Sequence, residues 1–308
     1  MGREPRREQG EHQQHGHEYR AHPRTTVGMG AAHAWCATGS GSARVLEYGD
    51  LAWVSHSQAA EEYQQIVSSI SDSLDFLETV SGREFHQTQK AEIYAAHEGL
   101  HLHYEQAQTR FLGRKGRESW YDLTTHFPWI GMRTAEMGGA HIEYFRGIAN
   151  PVGVKVGPGM TREWIQDLVR VLNPHNEPGR LTLIHRYGLK RIEEQLPDLI
   201  SAVKETGSPV LWVCDPMHGN TESTAEGIKT RRFDNVMGEL EAAFRVHKRM
   251  GTYLGGVHLE LTGDNVTECT GGARGLTDAD LVRAYKSTVD PRLNYEQAME
   301  VAMRISGL

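Results

Sequence analysis

Cysteine is scarce in this chain: Cys36, Cys214 and Cys269 are the whole supply in 308 residues, and no two form a CxxC pair. That excludes a disulfide framework and suits a reducing, cytoplasmic setting. Long apolar runs are also missing. No stretch approaches the roughly 20 residues of a membrane span, and the N-terminus lacks a charged-then-apolar signal pattern, so no membrane partner is expected. Basic excess is absent too. The net charge of -7 argues against generic nucleic-acid binding, which wants a basic face, while leaving room for a local basic pocket. Aromatic content is only 8%, and the six tryptophans have no spacing that suggests a cofactor stack. Gly271-Gly272 matches no phosphate-loop fingerprint. Asn265-Val266-Thr267 fits a glycosylation acceptor only by chance if the chain is not secreted.

What is present divides in two. Residues 1–43 read as a disordered or irregular segment, polar up to about residue 25 and then rich in Gly, Ala and Ser. Its His12, His15, His17 and His22 read as a polar tail rather than a metal site. Residues 44–308 read as one barrel-type domain. Ser57–Val80 carries apolar residues at helical spacing and ends at Gly82. Strands are expected at Ala91–Ala96, Val152–Val156, Leu181–Ile184, Val210–Cys214, Val257–Leu261 and near Val289. Helices are expected between or after them, at Arg162–Leu172, Leu189–Glu205, Phe233–Met250, Asp278–Ser287 and Tyr295–Ile305. Alternation of this kind predicts right-handed βαβ units and a parallel sheet. The polar residues fall at strand C-termini, where a (β/α)8 barrel keeps its chemistry. Only six strands are found, so an incomplete α/β barrel of TIM type is expected.

Several residue groups carry candidate chemistry. His218, Glu260 and Asp290 sit at successive strand ends. One nitrogen and two carboxylates suit Mn²⁺, Fe²⁺, Co²⁺ or Zn²⁺ better than Ca²⁺. The plainer reading is three unrelated residues, His218 capping a helix and Glu260 paired to an Arg. His258 shares the strand face of Glu260 and could support it from behind. Arg133, Lys155 and Arg186 could cradle an anion; Arg forks onto phosphate or carboxylate and Lys supplies a point charge. Lys155 in apolar surroundings could instead form a Schiff base, and surface salt bridging is the plain alternative. His97 or Glu98 could face the same mouth, or sit at a surface or helix start. Lys229-Thr230-Arg231 could contact phosphate or be a solvated loop. Cys269 reads as packed rather than reactive.

Several long runs then point to one family. Ala149 to Pro158, Asn173 to Leu183, Cys214-Asp215-Pro216-Met217-His218-Gly219-Asn220-Thr221, Gly227 to Arg231, Gly263 to Cys269 and Asp290 to Asn294 resemble class II 3-deoxy-D-arabino-heptulosonate 7-phosphate (DAHP) synthase, from roughly Tyr48 to Leu308. The resemblance implies a (β/α)8 barrel and condensation of phosphoenolpyruvate with erythrose 4-phosphate, the first step of the shikimate pathway. It implies metal ligands at His218, Glu260 and Asp290 for Mn²⁺, Co²⁺ or a similar ion. It implies phosphoenolpyruvate-binding cations at Arg133, Lys155 and Arg186, with no Schiff base, and a homo-oligomer. Two departures stand out. The family's Gly-Asp-Cys-Ala-Glu strand and Lys-Pro-Arg-Ser loop do not occur here; Cys36 lies in Ala34-Trp35-Cys36-Ala37-Thr38. The family's Trp-Ile-Gly-Glu-Arg-Thr reads Trp129-Ile130-Gly131-Met132-Arg133-Thr134. A non-catalytic or truncated homologue, acting as a partner subunit or an inactive product, is therefore the second reading. A barrel metallohydrolase using the same three ligands is the third.

Overall fold

A computed structural model describes residues 60–81, 94–113 and 118–307. The expected tail of residues 1–43, its histidines and Cys36 lie outside the described residues. The first described element is helix α1 (Ala60–Ser81), close to its expected span.

A six-stranded sheet organises the rest. Its strands are β1 (Ala96–Glu98), β4 (Phe127–Ile130), β5 (Val152–Val156), β6 (Leu181–His185), β7 (Leu211–Cys214) and β10 (Leu254–Val257). They pair in that order, and every pairing is parallel. Parallel strands must be covered on both faces, which is why they read as unbroken apolar runs. All residues of β5 and of β6 are buried. Two hairpins decorate the sheet, β2–β3 (Thr109–Leu112, Ser119–Asp122) and β8–β9 (Thr221–Ser223, Lys229–Arg231).

Four helices form the outer layer after these strands: α4 (Arg162–Leu172), α5 (Ile192–Thr206), α6 (Phe233–Met250) and α7 (Tyr295–Ser306). Two shorter ones, α2 (Leu102–Gln108) and α3 (Ala140–Gly147), come earlier. In α4 the buried residues Ile165, Leu168, Val169 and Leu172 recur at the spacing of one helical face, each worth about 1.5–3 kcal/mol when fully buried. Thr161 caps its start by accepting the Trp164 N–H at 3.2 Å. Helix α6 buries Val236, Leu240, Ala243 and Val246 against the sheet and closes on left-handed Gly251. Side chains alternate along β6. Thr182 and Ile184 face an interior shared with Ala96, Phe127, Trp129, Val213, Val257 and His258. His185 faces the other way and meets His247 of α6 at 3.4 Å.

Several expected boundaries need correction. The first strand starts at Ala96, where Ala91–Ala96 was expected. Strand β10 starts at Leu254 and ends at Val257, so Val257–Leu261 was placed too late. Gly255-Gly256 fell outside the expected strand but lies in the sheet, where a Cβ on Gly255 would come within 2.3 Å of Leu211. No strand forms at Val289, which is exposed; the pairing shrinks to one parallel bridge between Leu261 and Leu293. Strand β4 escaped the sequence reading because Pro128 lacks a ladder donor. Asp278–Ser287 forms only a short 3-10 helix, Asp278–Arg283, behind a Thr277–Asp280 capping box. Beyond it the Ala284 N–H turns to the Thr267 hydroxyl at 3.0 Å.

Candidate metal centre

All six strands point the same way, so their C-terminal tips share one rim. At the tip of β7 the chain must turn. Asp215 makes the turn by accepting the backbone N–H groups of Met217 (3.0 Å) and His218 (3.1 Å) on Oδ1. A one-turn 3-10 helix follows, and the His218 ring folds back so that Nδ1 lies 2.7 Å from Asp215 Oδ2. The other ring nitrogen, Nε2, then faces Glu260 Oε1 at 3.0 Å and Asp290 Oδ2 at 3.7 Å. One nitrogen and two carboxylate oxygens thus gather within 4.8 Å of one another. A ring held at its far nitrogen by a carboxylate is the pose metal-bound histidines adopt, so the donor set fits a divalent ion.

Cations surround this cluster. Fully buried Arg231, carried in by β9, pairs with Glu260 and with the Pro291 carbonyl. Lys229, at the other end of β9, pairs with Asp290. Lys155 of β5 is buried, pairs with Asp215, and lies 5.0 Å from the centre of the Trp129 ring. Arg186, one residue past β6, donates to the His218 carbonyl at 3.0 Å. Arg133, past β4, is exposed and makes no ion pair among the described residues. The structure therefore brings His218, Glu260, Asp290, Lys155 and Arg186 together. Arg133 sits on the same rim without touching them.

The charges follow from these contacts. Burial alone would lower the His218 imidazole, but Asp215 and Glu260 outweigh it and push its pKa up to about 9. Burial would raise the Asp215 carboxyl, yet Lys155 and His218 hold it well below 3.8. Burial opposes ionisation of Glu260 as well, and His218 and Arg231 keep it below its ordinary value. Lys229 and Arg231 do the same for Asp290. His258 is kept neutral by burial, its pKa down to about 3. Its ring stands edge-on to Trp129 at 5.2 Å.

Three other sequence candidates go elsewhere. His97 meets Glu105 of α2 at 2.9 Å, and Glu98 lies against Gly131 at the β4 tip. Cys269 is fully buried. Lys229 and Arg231, read as a phosphate or solvated loop, instead grip the two acids. No role of their own was assigned to Asp215 and Trp129; the signal for Asp215 was an Asp-Pro step with His three residues on, the mark of a side-chain-made turn. A second group, His185, Cys214 and Glu239, also clusters, on the helix side of the sheet. Both Glu239 oxygens are occupied there. Oε1 accepts the Tyr187 and Gly188 N–H groups at 2.9 and 2.8 Å, and Oε2 accepts Asn220 at 2.7 Å, which makes Glu239 a brace for the β6 loop.

Asp290 is positioned by its own loop. Fully buried Glu268 accepts the N–H groups of Lys286 (3.0 Å), Ser287 (2.8 Å) and Arg292 (2.8 Å), and its oxygens grip the Arg292 guanidinium. Burial acts to raise its pKa, but Arg292 and the amides hold it below 4.5. A depressed carboxyl contributes stability above its unfolded pKa and loses it as pH falls. Thermal melts should therefore weaken on acidification from about pH 5 toward pH 3. Glu268→Gln should cost about 2–3 kcal/mol at neutral pH and flatten that acid limb.

The fold and rim together define an α/β-barrel-type chain with a candidate divalent-metal centre. The chain belongs to the class-II DAHP synthetase family, whose sequence model matches residues 5–306. It is 40% identical over 290 residues to a phospho-2-dehydro-3-deoxyheptonate aldolase of Mycolicibacterium smegmatis, covering 93% of this chain and 62% of the relative. Proteins of the same name from Neurospora crassa and Streptomyces coelicolor are 43% and 42% identical, over 88% and 82% of this chain. The chain spans 56–62% of the length of these relatives. A solved phospho-2-dehydro-3-deoxyheptonate aldolase from Francisella tularensis aligns with 70% of this chain and 60% of its own at 14% identity, with a TM-score of 0.39. Among the described residues no helix is long and apolar enough to cross a membrane.

Proposed function

We propose that this chain is a DAHP synthase domain that condenses phosphoenolpyruvate with erythrose 4-phosphate. The observation that carries the reading is the His218–Glu260–Asp290 cluster beside Lys155 and Arg186 on one strand rim, in a chain of this family. His218, Glu260 and Asp290 would hold a divalent ion, Mn²⁺ or Co²⁺ by donor type. When bound, the ion supplies a Lewis acid for the aldehyde oxygen of the sugar phosphate.

The chain's own residues do the rest. Lys155 and Arg186 seat the carboxylate and phosphate of phosphoenolpyruvate, and Arg133 is the exposed cation that would close on it. Burial lowers the Lys155 pKa and the paired Asp215 carboxylate acts against that; in this reading Lys155 serves as the anion ligand. The Trp129 ring walls the Lys155 side of the site and excludes water. The vinyl carbon of phosphoenolpyruvate attacks the aldehyde carbon; a C–C bond forms as the carbonyl π pair moves to the aldehyde oxygen, leaving an alkoxide. Water adds to the resulting cationic carbon and one of its protons goes to that alkoxide; the added hydroxyl then loses its remaining proton as the C–O bond to phosphate breaks, leaving a ketone and inorganic phosphate. Charge moves between groups already faced by cations, so little reorganisation is needed.

The second reading is a non-catalytic partner subunit. It is favoured by the residues around the triad: both described cysteines are buried, and neither joins the His218 cluster. Met132 also occupies the place of a family carboxylate. Phosphate release separates the two readings. The synthase reading expects release from phosphoenolpyruvate only when erythrose 4-phosphate and Mn²⁺ are both present. Silence with Mn²⁺ still bound would transfer the chain to the partner class.

A further inference from the structure

We propose that Asp215 is a positioning residue that fixes the metal-facing histidine and the anion-facing lysine from a single buried carboxylate. The inference rests on the functional reading above and adds a residue to it. The side chain of Asp215 is fully buried, and both oxygens are committed. Oδ1 takes the N–H groups of Met217 and His218, which sets the turn. Oδ2 takes the Lys155 ammonium and His218 Nδ1 together. The imidazole position is therefore referenced to the ammonium position through one atom.

Two consequences follow from this geometry. With Nδ1 tied to Asp215, the ring can present only Nε2 to Glu260 and Asp290, so the donor nitrogen is chosen before any ion arrives. With its ammonium tied to the same atom, Lys155 stays over Trp129. The cation seat and the anion seat are thus held at a fixed separation. Asparagine has the same shape but cannot replace this carboxylate. It has one accepting oxygen, and its NH₂ would face donors whichever way it is turned: the two backbone amides, or the ammonium and the ring N–H.

The test uses the full chain, with Mn²⁺ titrated by electron paramagnetic resonance and phosphoenolpyruvate by calorimetry. Asp215→Asn should weaken Mn²⁺ by about 10–100-fold and phosphoenolpyruvate by about tenfold or more. It should also change the ¹⁴N modulation of bound Mn²⁺, a signature that loss of stability alone would not move. A stranded Lys155 ammonium can unfold this variant, so Lys155→Met/Asp215→Asn is made beside it. Lys155→Met alone should lose phosphoenolpyruvate and keep Mn²⁺; adding Asp215→Asn should again weaken Mn²⁺ by about 10–100-fold. Suppose wild type binds Mn²⁺ through His218 while the double variant binds it equally well, with the same modulation. Asp215 then has no positioning role, and the functional reading survives. If wild type binds neither Mn²⁺ nor phosphoenolpyruvate, the functional reading itself falls.

Discussion

Replacing His218 with alanine is expected to reduce Mn²⁺ affinity by more than about 100-fold, since loss of a supporting group alone costs 10–100-fold. The ring is the only nitrogen in its cluster and the bridge between Asp215 on one side and Glu260 and Asp290 on the other. The same substitution makes a second, opposite statement about the metal-free protein. There the imidazolium is held by three acids, with a pKa of about 9 against an ordinary 6.5. A raised histidine contributes stability that is complete below 6.5 and disappears as pH climbs through 9. Metal-free wild type should therefore lose on the order of 3 kcal/mol across that window, and His218→Ala should lose little further. Mn²⁺ should invert the trend, because binding requires the neutral ring and expels its proton. Calorimetric melts at pH 6 and pH 9, with and without Mn²⁺, check both halves. Equal metal affinity in the variant would remove His218 from the centre.

A backbone substitution one residue away should be nearly as severe. Gly219 and Gly188 press the His218 turn against the loop after β6. A Cβ on Gly219 would lie 2.2 Å from the Gly188 nitrogen and 2.7 Å from its Cα. These are backbone atoms with nowhere to rotate, and Gly188 is itself pinned by Glu239 at 2.8 Å. Gly219→Ala should cost about 3 kcal/mol or more through overpacking, and it should tilt His218 away from the two acids. Gly263→Ala is the matched control, since nothing lies within 4 Å of its added Cβ. The expected pattern is a lower melting temperature and weaker Mn²⁺ binding for the first variant, and neither change for the second. A Gly219→Ala protein with normal stability and normal Mn²⁺ affinity would contradict the interlocked loops.

The sequence was legible where one rule decided the outcome. Helices α4 and α6 were read to the residue, because each apolar face agrees with one end signal, the Thr161 cap before α4 and left-handed Gly251 after α6. Strands β5 and β6 were read almost as well, because burial on both sides leaves a continuous apolar run. Legibility failed where tertiary contact overrode local signal. Pro128 concealed β4, Gly255-Gly256 was left out of its strand, and Val289 looked like a strand although only Leu293 retains a bridge. In the site, strand-end position brought His218, Glu260 and Asp290 to notice. It did not reveal the role of Asp215, whose importance lies in which donors converge on it. It also left Lys229 and Arg231 as a loop, since no pattern along the chain shows that a hairpin will deliver them to Asp290 and Glu260.

The burial of Arg231 has one more effect. A guanidinium keeps its proton at every pH a folded chain endures, so an acid tied to it becomes neutral only at lower pH than a free one. Glu260 is therefore held ionised further into the acid range than a free carboxylate, and near neutral pH the response of ion capture to pH arises at the imidazole.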